Sequence, residues 1–204
     1  MPPKVRSAST KRWLLVTVST GGSSTLRVHA WRKLRSLGAL YLQSSVALLP
    51  DRAETRRAIG RLLERLRRSG GEGQVLPIAI TDPTAEQTVI ARFCAERSDE
   101  YREIVSRVPA FLEEIAQERR QGRATYAEVE ESEADLERLQ KWLTRVQARD
   151  YFDARGRTEA EQAVERCASE LVAFEAEALA AELPGDLGES RSTRLPAVEG
   201  ESAR

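Results

Sequence analysis

Arg57, Arg61, Arg65 and Arg68 recur at steps of four, four and three, a spacing that sets them in one row along a helix. Guanidinium groups arranged this way suit phosphate oxygens, because each offers a planar fork of donors with a permanent charge. A second basic cluster, Arg32, Lys33 and Arg35, falls one helix earlier. The two sets read either as a phosphate-contacting patch for double-stranded DNA, with salt-dependent affinity, or as a solvated basic face partly neutralised by acidic helices of the same chain. No aromatic-studded strand of the RNA-recognition type and no helix-turn-helix accompanies them, so base-specific reading is assigned to no residue.

Other chemistry has less material. The turn Ser19–Thr25 links a strand to a helix start, where backbone N–H groups can hold an anion, but it lacks the GxxxxGK[ST] pattern and reads as a capped turn. His29 is the single histidine, which excludes a multi-histidine metal site and leaves little for a Ser-His or Cys-His pair. Glu128, Glu130, Glu131 and Glu133 could interest magnesium, yet they read better as a hydrated helix start favoured by the macrodipole. Cys94 and Cys167 belong to no CxxC pair and read as small core hydrophobes in a reducing compartment. The expectation is a non-enzymatic protein with no catalytic residue, no metal and no cofactor.

The elements that must position the arginines follow from apolar periodicity. Trp13–Ser19 alternates as a strand, and Leu26, Ala30, Leu34 and Leu37 then recur at helical spacing up to Gly38. Ala39–Leu49, interrupted by Gln43-Ser44-Ser45, reads as two tightly joined strands. The helix Ala53–Ser69 buries Ile59, Leu62, Leu63 and Leu66 opposite the arginine row, and Gln74–Ile80 is a last strand that tolerates Pro77. This βαββαβ order predicts an α+β, ferredoxin-like domain: an antiparallel sheet with both helices on one face and the last strand at an edge, where a proline is least harmful.

Beyond Asp82-Pro83 the pattern is helical. Apolar stripes run along 84–120, where Pro109 should kink or divide the helix, along 127–152, and along 159–183. They predict a three-helix region or a kinked-helix hairpin. The expected organisation is a flexible basic N-terminus 1–11, a ferredoxin-like domain 12–82, a helical region 83–183 and a disordered tail 184–204. The aromatics Tyr101, Phe111, Trp142, Tyr151 and Phe152 are expected to pack the helical layer. The sheet face bearing Trp13 and Leu15 needs cover, from these helices or from a second subunit.

Charge divides the chain the same way. The totals of 32 basic and 32 acidic residues cancel, but residues 1–70 hold fifteen Lys and Arg against Asp51, Glu54 and Glu64, a net +12, leaving −12 on the remainder. Such asymmetry points to an anionic partner for one half, or to the two halves facing each other. The longest apolar runs are far too short for a membrane span and the N-terminus lacks a signal-peptide core, so a cytoplasmic protein is expected.

Trp13-Leu14-Leu15, the run Arg27–Ala39 and Ser45–Pro50, with the later Leu139–Leu143 and Arg149–Phe152, resemble the N-terminal domain of ChrB-type chromate-resistance regulators over most of residues 12–180. That resemblance implies a part in regulating chromate or related oxyanion resistance as a transcriptional regulator, with double-stranded DNA as the expected partner. The N-terminal half is also similar to the ferredoxin-like module of PaaX-type repressors and of the small endonucleases of CRISPR adaptation. Those endonucleases carry a metal-holding Asp near the end of the first strand, where this chain has Ser19 and Thr20, so nuclease activity is not implied. Their dimerisation through the sheet is. The alternative reading is an interaction or scaffold module that dimerises that way and binds no nucleic acid.

Overall fold

The computed structural model describes residues 12–122 and 125–182; the expected N-terminus 1–11 and tail 184–204 lie outside the described residues. The order is β1 (Arg12–Ser19), α1 (Ser24–Ser36), β2 (Leu40–Gln43), β3 (Val46–Pro50), α2 (Ala53–Arg68), β4 (Glu72–Ala79), α3 (Pro83–Arg120), α4 (Tyr126–Gln147) and α5 (Arg157–Glu182). The sheet runs β2-β3-β1-β4 with every neighbouring pair antiparallel. Pro77 thus stands on an edge strand, opposite Leu14.

Alternation along β1 sends its side chains into two different cores. Leu14 and Val16 join Ala30 and Leu34 of α1 and Ile59, Leu62, Leu63 and Leu66 of α2. Trp13, with Leu40 and Leu48, meets Phe93 of α3 on the opposite face, and Leu15, Ile78, Val89, Ile90, Tyr151 and Phe152 pack around them. The Trp13 ring lies 5.7 Å from both Phe93 and Phe152, and its Nε1–H donates to Glu86 at 2.9 Å. The cover expected for this face is therefore supplied within the chain, by α3 and the segment after α4. A third core joins Tyr101, Ile104, Val108, Phe111 and Ile115 of α3 to Leu136, Leu139 and Val146 of α4 and Val164, Cys167, Leu171 and Phe174 of α5.

Of the two outcomes expected at Pro109, a kink or a division, α3 is not divided and continues through it to Arg120. Proline removes one N–H bond, to the carbonyl of Val105, and the buried residues Val108 and Phe111 on either side keep both segments on the core of the helical layer. One expectation about the helices is corrected: the helix expected over 127–152 ends at Gln147. Beyond it the Asp150 carboxylate accepts from the backbone N–H groups of Phe152 and Ala154, at 3.4 and 3.1 Å, and replaces the helical ladder with a side-chain-held turn.

That turn fastens the helical layer to the sheet layer. Tyr151 donates its hydroxyl to the Leu37 carbonyl at 2.7 Å, and Arg52 donates to the Tyr151 carbonyl while stacking on its ring. Gly38 closes α1 at φ +69°, and a Cβ there would sit 2.9 Å from the Arg149 Cβ and 3.0 Å from an Arg97 nitrogen. Glycine at this position thus satisfies both the left-handed backbone and the close approach of the two layers.

Candidate nucleic-acid interface

α2 owes its register to its apolar stripe: with Ile59, Leu62, Leu63 and Leu66 fixed in the core, the row four and three residues apart on the other side must face outward. Arg57, Arg61, Arg65 and Arg68 are all exposed. Arg68 shares Glu64 with Arg67, at 3.0 and 3.1 Å, while Arg57, Arg61 and Arg65 have no ion-pair partner among the described residues. The helix start is anchored by Asp51, paired with Arg56, and by Thr55, whose Oγ1 accepts the Arg52 N–H at 3.0 Å and donates to the Pro50 carbonyl at 2.8 Å. The Arg56 guanidinium holds the Asp51 carboxyl below the usual carboxylate range.

On α1, Arg32 and Arg35 are exposed and Lys33 is half-buried. The Ser23 hydroxyl caps this helix by accepting from the Leu26 N–H at 3.3 Å. The two helices pack side by side on one sheet face, so both basic clusters belong to the same side of the molecule. The acidic helical layer takes the other face, through Phe93 of α3 and Tyr151 and Phe152. Among the described residues no carboxylate has to be displaced before a phosphate could reach Arg57, Arg61 and Arg65.

Sequence reasoning missed the surroundings of Trp31. Arg35 stacks over its ring at 5.1 Å, and Val28, Trp31 and Leu42 stand 42–44% exposed around a groove of about 810 Å³ between α1 and the β2–β3 turn. The signal was available: Arg27, Trp31 and Arg35 recur four apart, and a tryptophan between two arginines on a helix's outer side is not serving the core.

The remaining candidates fall elsewhere. His29 is half-buried on α1. Burial in the helical core pushes the Cys167 thiol up to about 11, which keeps it protonated near neutral pH. Among the described residues no group of three or more His, Cys, Asp or Glu could hold a metal ion, and no helix is long and apolar enough to cross a membrane.

No curated protein matches the chain. The model of the family described as Protein ChrB, N-terminal, matches residues 27–184, from α1 through the end of α5. A match of that extent takes in the basic helices, the joint at Gly38 and the helical layer together, and the chain belongs to this ChrB N-terminal family.

Proposed function

We propose that this protein is a DNA-associated regulator of chromate or related oxyanion resistance, in which Arg57, Arg61, Arg65 and Arg68 on α2, with Arg32, Lys33 and Arg35 on α1, contact the phosphates of double-stranded DNA. Membership of the ChrB N-terminal family supports the pathway. The observation that carries the contact surface is the α2 row, exposed along its length with three of its four guanidinium groups unpaired among the described residues. Acidic helices packed over that row would have favoured a scaffold, and they occupy the other side of the sheet. The βαββαβ order with β4 beside β1 at an edge supports reading the sheet region as ferredoxin-like.

Fluorescence anisotropy against a duplex at rising salt tests the proposal. Seven phosphate contacts would give a slope of log K against log salt of about −6, and the double variant Arg61→Glu/Arg65→Glu would lower affinity at least ~10-fold and flatten the slope by about 2. Absence of duplex binding at low salt overturns the reading.

A further inference from the structure

A second exposed surface in this chain has the character opposite to that of α1. α4 and α5 enclose a groove of about 610 Å³, floored by Leu136, Leu171 and Val172 and edged by Glu130, Glu133 and Glu175. Val172 is 64% exposed, and Leu179, two turns further along α5, is 51% exposed. Glu130, Glu133 and Glu175 have no ion-pair partner among the described residues. In the same helical layer Arg119 is shared between Glu170 and Glu177, and Arg157 pairs with Glu161, so carboxylates of this layer reached by an arginine are neutralised by it.

The outer side of α1 supplies what this groove lacks. Val28 and Trp31 are exposed apolar side chains, and Arg27, Arg32 and Arg35 surround them with no carboxylate within ion-pair reach among the described residues. Positions 27, 28, 31, 32 and 35 fall on one side of a helix, the i, i+1, i+4, i+5, i+8 pattern of a helix that lays an apolar edge in a groove. Within one chain the two surfaces cannot meet, because α1 packs on one sheet face and α3, which carries α4 and α5, lies against the other.

We propose that the α4/α5 groove of one copy takes α1 of a second copy, with Val28 and Trp31 against Leu171 and Val172, and Arg27, Arg32 and Arg35 facing Glu130, Glu133 and Glu175. The contact is head-to-tail: it joins two different surfaces, so a linear assembly keeps one free α1 surface at one end and one free groove at the other. Charge complementarity selects the occupant. The groove is edged by carboxylates with no ion-pair partner among the described residues, and the chain's own excess of cations is concentrated in residues 1–70. This assembly leaves the arginine row of α2 open and does not rest on the DNA reading, but it engages Arg32 and Arg35, so an α1 seated in a groove gives up its share of the phosphate contacts.

Sedimentation velocity of the full chain over a concentration series tests it, with two variants whose folding is checked by circular dichroism. Arg27→Glu/Arg32→Glu removes the α1 surface, and Glu130→Gln/Glu133→Gln removes the charge of the groove without creating a site for the altered α1. The wild type is expected to associate as concentration rises, with a dissociation constant at least ~10-fold weaker in 0.5 M salt than in 0.05 M. Each double variant alone is expected to stay monomeric, and an equimolar mixture to form a 1:1 complex that grows no further, because each variant retains the surface the other lost. A wild type that stays monomeric throughout, an association insensitive to both variants, or a mixture that stays monomeric would overturn the proposal.

Discussion

On the α1/α2 side of the sheet, Arg57, Arg61 and Arg65 stand in solvent with no carboxylate in ion-pair reach among the described residues. On the other side, two arginines are structural: Arg97 is 5% exposed and donates to Glu100 at 2.8 Å, and Arg149 reaches the same carboxylate at 2.8 Å. One residue type therefore has opposite duties in two regions of one chain. Where acids alternate with arginines along the sequence, guanidinium groups such as those of Arg119 and Arg149 tie elements together; where acids are sparse, as over residues 1–70, Arg57, Arg61 and Arg65 have no ion-pair partner among the described residues. The difference concerns the partner, since the side chain is the same.

The comparison breaks most severely where the two regions share a residue. Trp13 belongs to the sheet and is fully buried against Phe93 and Phe152 of the helical layer. Trp13→Ala is expected to destabilise the protein by about 3–5 kcal/mol, read from urea denaturation, because it opens a large cavity and removes the hydrogen bond to Glu86. Two independent unfolding transitions in the wild type, with only one of them moved by the substitution, would show that the regions do not share this core.

A matched pair of substitutions sharpens the contrast between the two kinds of arginine environment. Glu100→Ala leaves both Arg97 and Arg149 near the Gly38 joint without their shared carboxylate, and a loss of about 3 kcal/mol is expected. Arg65→Ala is expected to change stability by no more than ~0.5 kcal/mol, since its side chain makes no ion pair among the described residues and is exposed. Similar values for the two, measured under one set of conditions, would dissolve the distinction.

The smallest expected effect is a pH dependence confined to the basic side. Arg56 lowers the Asp51 carboxyl pKa in the folded chain, so the pair's contribution is present above the usual carboxylate range, near pH ~4, and is lost as pH falls through the lowered value. Thermal melts of wild type and Asp51→Asn should accordingly differ at neutral pH and converge in acid. A gap that widens on acidification would have the wrong sign.

Much of the sheet region is legible because its pattern is local. The stripe Ile59, Leu62, Leu63 and Leu66 fixes which side of α2 faces the sheet, and with it the outward row of arginines. The end of α4 was not legible at the same level. Helical spacing continues through Phe152, and only the Asp150 carboxylate, aimed back at the N–H groups of Phe152 and Ala154, ends the helix at Gln147. Pro109 left continuation and division both open at the sequence level, and α3 continues because a proline's local penalty is outweighed when the residues on both sides of it are held in one core. Trp31 was passed over because its position in a groove depends on Tyr41 and Leu42, which reach it only after the chain has turned through Gly38.

By itself, the sequence determined the element order, the division of charge at about residue 70, and the outward direction of the α2 arginines. These rest on periodicity and composition, which act over a few turns of chain. Only the tertiary structure decided which face of the sheet the acidic layer would occupy. That choice depends on where Trp13, Phe93, Tyr151 and Phe152 meet, residues separated by up to 139 positions in the chain, and no local pattern encodes such an encounter. Its physical consequence is that burial of one aromatic cluster leaves the basic surface open.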